Sequence, residues 1–121
     1  MIDKKELKKA YKQTIQPMGI YQIKNKVNGK IFIGWTKNIK GKFNSIQFQL
    51  TNGSFIINSL QEDFNKYGFD NFSYDVLDQL EPNEDPAYDY TNDLVTLEEL
   101  WLEKLQPFDD KGYNIRKQTK Y

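Results

Sequence analysis

GIYQIKNKVNGKIFIGW, residues 19–35, is the stretch from which the rest of the chain can be read. Two runs of β-prone residues flank Asn28-Gly29, and Asn-Gly between such runs is the strongest short-range hairpin signal. A two-residue turn there predicts a register in which Val27 faces Lys30, Asn25 faces Phe32, Ile23 faces Gly34 and Tyr21 faces Thr36. Side chains alternate along a strand, so Tyr21 and Phe32 should share one face while Ile20, Ile31 and Ile33 take the other. Gly34 falls on the Tyr21 side and leaves space beside it.

Outward from the hairpin, the pattern predicts a small α+β domain. Asn38 is placed to cap a helix over 38–51 with Ile39, Phe43, Ile46 and Leu50 inward, ended by Asn52-Gly53. A second helix starts near Asn58 or Ser59, with Ser59 and Glu62 at capping-box spacing and Leu60, Phe64 and Tyr67 as its apolar stripe. Gly68 should end it, and "NFSYDVL" at 71–77 alternates as a third strand. Residues 81–95 read as an acidic loop without the ligand register of a calcium site. Thr96 and Glu99 then suggest a capping box opening a last helix that buries Leu97, Leu100, Trp101 and Leu105. Pro107 should stop it, and "KGYNI" returns as a short extended piece. Before the hairpin, residues 3–14 carry helical spacing, so residues 1–16 are expected to form a lysine-rich N-terminal helix. The domain proper is expected over 17–116, followed by a basic tail at 117–121.

Composition narrows the chemistry. The chain has 121 residues, of which 38% are hydrophobic and 15% aromatic, enough for one folded core. Neither cysteine nor histidine occurs. That excludes thiolate chemistry, disulfides and imidazole bases, and any metal must sit on oxygen. With a charged start and no long apolar run, a cytoplasmic protein without a membrane span is expected. The net charge of zero hides a strong polarity. Residues 1–47 hold eleven lysines against Asp3 and Glu6, a net +9, whereas residues 48–110 hold two lysines against fifteen acids, a net −13. The last eleven residues add four basic groups, among them Arg116, the one arginine of the chain. The basic half, through Lys24, Lys26, Lys30, Lys37 and Lys40, could face the phosphates of a nucleic acid. It could equally be a solvated surface that pairs with the acidic half.

Taken in order, "GIY" (19–21), "NGK" (28–30), "FIG" (32–34), "KNI" (37–39), "LQEDFNKYGFDNFSYDVL" (60–77), "EELW" (98–101) and "GYNI" (112–115) resemble the GIY-YIG endonuclease domain. The resemblance implies a three-stranded antiparallel sheet flanked by helices, here with the extra N-terminal helix. It also implies hydrolysis of DNA phosphodiesters with Mg²⁺ or Mn²⁺. In that family a hairpin tyrosine activates water, an arginine of the first helix steadies the phosphorane, and a glutamate holds the metal. A second hairpin tyrosine and an asparagine near the C-terminus complete the site.

The match by residue is partial. Tyr21 stands at the first tyrosine, Glu98 at the metal-binding glutamate and Asn114 at the supporting asparagine. Phe32 replaces the second tyrosine and cannot exchange a proton. Lys42 replaces the arginine, keeping its charge but losing the planar fork. Ile46 and Phe55 stand where many members carry histidine or another polar group. Tyr21, Lys42 and Glu98 also have bland explanations. Tyr21 fits a packed strand, Lys42 an exposed helix position, and Glu98 the first turn of a helix opening at Thr96, where the dipole favours it. Three functions stay open on these residues: a DNA-binding domain with a weakened or lost nuclease centre, an active metal-dependent endonuclease with a modified site, or a scaffold whose acidic half docks a protein partner.

Overall fold

The computed structural model describes residues 16–116, so the N-terminal helix and the basic tail read from the sequence lie outside the described residues. The opening stretch forms strand β1 (Met18–Asn25) and strand β2 (Ile31–Thr36), paired antiparallel. The turn between them is not the two-residue reversal expected at Asn28-Gly29. Buried Asn25 accepts the Val27 N–H on its side-chain oxygen at 2.9 Å, and its carbonyl accepts from the Gly29 N–H at 2.8 Å. The Asn28 side chain accepts from the Lys30 N–H at 2.9 Å, and Gly29 takes the left-handed conformation at φ 79°. These bonds stabilise a longer loop over 26–29, so Tyr21 faces Gly34 and Ile23 faces Phe32. A shift of two residues keeps side-chain parity, so Tyr21 and Phe32 still share a face.

Strand β3 (Phe72–Leu80) joins the other side of β1, giving an antiparallel sheet of order β2-β1-β3. It runs three residues past the stretch read as strand. Opposite Ile20 and Tyr21 the register skips Leu77, a bulge that re-aims the strand end.

Helix α1 (Ile39–Asn52) begins as expected, with the Asn38 side chain accepting from the Gly41 N–H at 3.0 Å, and ends on Gly53 at φ 79°. Helix α2 (Asn58–Tyr67) opens without a side-chain cap, so the Ser59–Glu62 capping box is not formed. Gln61 secures this corner instead. Buried, it accepts from the Phe55 N–H and donates to the Leu50 carbonyl, both at 3.0 Å, joining the end of α1 to the start of α2.

Helix α3 (Thr91–Leu105) starts five residues before the predicted Thr96 cap. The Asp89 carboxylate accepts from the N–H of Thr91 at 3.0 Å and from its hydroxyl at 2.7 Å, taking the capping role earlier in the chain. Leu94, assigned by sequence to the acidic loop, is the fully buried anchor of α3, whereas Leu100 is 59% exposed and Leu97, Trp101 and Leu105 are half-buried. Burying a leucine contributes about 1.5–3 kcal/mol, enough to decide where the helix docks.

The helices lie on both faces of the sheet. Tyr21, Ile23 and Phe72 pack with Ile46 and Leu50 of α1 and Leu60 and Phe64 of α2. Met18, Trp35 and Leu80 pack on the opposite face with Tyr90 and Leu94 at the start of α3. The chain then turns at Asp109–Lys111 and meets β2 again: Gly112 bridges to Ile31, and the Tyr113 N–H donates to the Ile31 carbonyl at 2.8 Å. The Tyr113 hydroxyl donates to Asp63 of α2 at 2.7 Å and accepts from Asn25 at 3.0 Å, tying the hairpin, α2 and the C-terminal segment together.

Candidate active site

The C-terminal segment covers the outer edge of β2 at Ile31 and Ile33, and beside it lies an open cavity of about 570 Å³ walled by β2, α1 and α3. Tyr21, Phe32, Lys42, Glu98 and Asn114 all line this cavity, so the five positions singled out from sequence converge from β1, β2, α1, α3 and the C-terminal segment. Gly34, Trp35, Thr36 and Lys37 complete the wall formed by the end of β2.

Tyr21 is placed by Gly34. A Cβ at position 34 would fall on the Tyr21 phenol, so the glycine lets the ring lie against β2. Phe43 of α1 meets that ring edge-on at 6.0 Å. Tyr21 is 4% exposed, and its phenol is pushed well above the ordinary range of about 10, first by burial and then by the nearby negative charge of Glu98. The neutral phenol is therefore the resting form.

Glu98 lies in the interior of α3, seven residues past Thr91, because the helix starts earlier than the sequence suggested. The helix dipole, which acts within the first turn, does not account for it. It is half-buried and is the acidic side chain of the cavity wall. Among the described residues no group of three or more acidic side chains gathers into a metal cage. One carboxylate on an open cavity suits Mg²⁺, which keeps several waters and is bound by one or two carboxylates together with substrate phosphates.

Lys42 is exposed, and a relay of turns sets its position. Thr36 Oγ accepts from the Asn38 N–H at 3.1 Å, Asn38 caps the helix, and the Lys42 N–H donates to the Asn38 carbonyl at 2.9 Å. Asn38 was legible as the cap, whereas Trp35 and Thr36 carried no sequence signal for the cavity they line. Asn114 uses both ends of its amide on the edge of β2, accepting from the Ile33 N–H at 2.9 Å and donating to the Ile33 carbonyl at 2.8 Å. It positions the wall.

The five lysines nominated for phosphate contact divide into two groups. Lys37 lines the cavity and Lys40 is exposed in the first turn of α1. Lys24, Lys26 and Lys30 sit at the hairpin end, separated from them by the six residues of β2, roughly 20 Å. Lys30 lies over the Tyr113 ring at 5.7 Å, and Lys37 pairs with Asp89 at 3.5 Å. Both members of that pair are exposed, at 54% and 75%, so it contributes little.

Of the replaced positions, Lys42 stays exposed on the cavity, while Phe32, Ile46 and Phe55 join one apolar cluster. Phe32 meets Phe55 edge-on at 5.9 Å and lies 6.3 Å from the Tyr21 ring, and Ile46, 1% exposed, belongs to the same cluster. Residues 17–114 match the family model of the GIY-YIG catalytic domain. The chain belongs to the GIY-YIG family. It is similar to Intron-associated endonuclease 1 of Enterobacteria phage T4, with 31% identity over 102 residues. That match covers 84% of this chain and 38% of the phage protein. Among solved structures it resembles the catalytic domain of homing endonuclease I-TevI, with 28% identity and a TM-score of 0.69 over 83% of this chain and 99% of that one. A glutamate-to-alanine variant of the same domain superposes with a TM-score of 0.70 at 27% identity, covering 86% and 98%. The sheet and its three helices are thus the GIY-YIG fold, and no helix of the described residues is long and apolar enough to cross a membrane.

Proposed function

We propose that this GIY-YIG domain binds nucleic acid, DNA first, across the Tyr21–Glu98 cavity and carries a weakened phosphodiesterase centre. The observation behind this reading is the contact between Phe32 and Phe55 at 5.9 Å, with Ile46 in the same cluster. Apolar side chains of one cluster occupy positions where the family resemblance leads one to expect proton-transfer groups. Losing one transition-state donor costs ~10²–10³ in rate, and several such losses in one site leave little margin. What remains is Glu98 to hold Mg²⁺ or Mn²⁺, Lys42 and Lys37 to attract a phosphate, and Tyr21. When bound, the metal supplies Lewis-acid charge to a phosphate oxygen. Lys42 brings charge without the fork that would orient it. Burial and the negative charge of Glu98 push the Tyr21 phenol up, and a cation held at Glu98 would oppose the second of these causes.

Duplex binding measured over a range of salt tests the first half: log K should fall linearly with log salt, and undetectable binding at low salt defeats the proposal. A second reading, an active metal-dependent endonuclease, is favoured by the convergence of Tyr21, Lys42 and Glu98 on one cavity. Plasmid cleavage with Mg²⁺ or Mn²⁺ that is fast and is lost in both Glu98→Ala and Tyr21→Phe would establish it.

A further inference from the structure

A second cavity, of about 400 Å³, adjoins the first and shares Glu98 and Asn114 with it. Glu99 and Leu102 of α3, Phe108 and Arg116 form much of its remaining wall. Arg116 is the chain's single arginine and the one basic side chain lining this cavity. Its guanidinium carbon sits 4.4 Å from the centroid of the Phe108 ring, and its Nη2 donates to Asp109 at 3.2 Å. The ring backs the guanidinium through a cation–π contact. Asp109 engages one nitrogen of a fork suited to two oxygens, and the pair is exposed, at 60% and 77%. Such a pair contributes little and exchanges readily for a stronger anion. Arg116 follows Asn114 by two residues, and the amide of Asn114 is fixed to Ile33 by two hydrogen bonds, so the backbone that carries Arg116 is anchored beside the first cavity.

We propose that the two cavities form one groove for a nucleic-acid strand, and that Arg116 holds a backbone phosphate flanking the one at Tyr21, Lys42 and Glu98. The inference rests on the nucleic-acid-binding reading above. Glu98 and Glu99 also line the second cavity, and Arg116 is the cation on its wall that partly offsets them. The family's first-helix arginine is replaced by Lys42 in this chain, and the chain's one guanidinium lines the adjoining cavity instead.

The test is binding of the native chain and two variants to a fluorescein-labelled DNA duplex across a salt series. Arg116→Ala should weaken binding roughly tenfold at low salt and reduce the slope of log K against log salt by about 0.9, the value for one lost phosphate contact. Asp109→Asn should bind about two- to threefold more tightly, because the competing carboxylate is gone. Both positions are exposed, and thermal melts verify that each variant is folded. Native binding with Arg116→Ala unchanged in affinity and slope overturns the Arg116 site alone, as does Asp109→Asn binding no tighter than native. Failure of the native chain to bind at low salt overturns the nucleic-acid reading and this inference with it.

Discussion

Phe32→Tyr adds a single hydroxyl to a half-buried ring that lines the Tyr21–Glu98 cavity. The ring packs edge-on against Phe55 at 5.9 Å, and its other flank faces Tyr21 at 6.3 Å. A buried hydroxyl without a partner costs about 1–3 kcal/mol, but this one opens on a water-accessible cavity, so the low end applies. At roughly 4 °C per kcal/mol for a domain of this size, Tm should fall by no more than about 4 °C. The catalytic effect is larger. One transition-state donor is worth ~10²–10³ in rate, so its return should raise metal-dependent plasmid nicking at least tenfold, with Lys42 capping the gain below the full factor. Adding Lys42→Arg, which restores the planar fork, should raise it further. The assay is the initial rate of supercoiled plasmid conversion with Mg²⁺, with Phe32→Tyr/Glu98→Ala as the control that must return to baseline. If Phe32→Tyr and Phe32→Tyr/Lys42→Arg both fold, bind duplex and nick no faster than native, the weakness of the centre does not lie at these positions.

Gly34→Ala places a methyl on the Tyr21 phenol, and overpacking of this kind costs about 1–3 kcal/mol. An unchanged Tm in that variant would show that Tyr21 moves aside freely. Asn114→Ala removes two hydrogen bonds to Ile33, so Tm should drop by several degrees and the Ile33 amide should exchange faster with solvent; a protected amide would refute the positioning role. Burial first, and then donation to Asp63, push the Tyr113 phenol up from 10.0 to about 12. Between these values the unfolded chain has released a proton that the folded chain still holds, so stability falls as pH rises from about 10 to about 12. Tyr21, also shifted upward, acts in the same direction. Denaturant titrations should show the decline, and Tyr113→Phe should flatten it in part; a native profile flat through that range contradicts the burial of these phenols.

The hairpin, α1 and the three-stranded sheet were legible because local signals agreed with tertiary packing. Asn38 caps α1, Gly53 ends it, and alternation through 72–76 marks β3. The errors came where a side chain distant from the turn or cap decided the outcome. Asn25 is buried and bonded to Tyr113, 88 residues away, and that commitment displaces the Asn28-Gly29 turn from the tight form it favours alone. Thr96 and Glu99 fit the capping-box spacing, yet Asp89 caps Thr91 and Leu94 buries itself against the sheet, so the helix begins earlier. That error bore directly on the site, since Glu98 near a helix start has a trivial explanation and Glu98 in a helix interior does not. Convergence of Tyr21, Lys42, Glu98 and Asn114 could be expected from the family resemblance but not from spacing, because four separate segments supply them. The Phe32–Phe55 contact spans 23 residues and the Arg116 cavity joins α3 to the C-terminal segment up to 18 residues on, which no periodicity reveals.

The most direct measurement follows plasmid nicking by the native chain with Mg²⁺ or Mn²⁺, at concentrations where duplex binding is saturated, beside the catalytic domain of I-TevI under the same conditions. A weakened centre predicts full occupancy of the DNA with nicking at least ~10²-fold slower than the I-TevI domain, and the residual activity abolished by Glu98→Ala. Cleavage at a rate comparable to the I-TevI domain, abolished by Glu98→Ala, would contradict it and establish a working nuclease in which Phe32, Ile46 and Phe55 are no handicap.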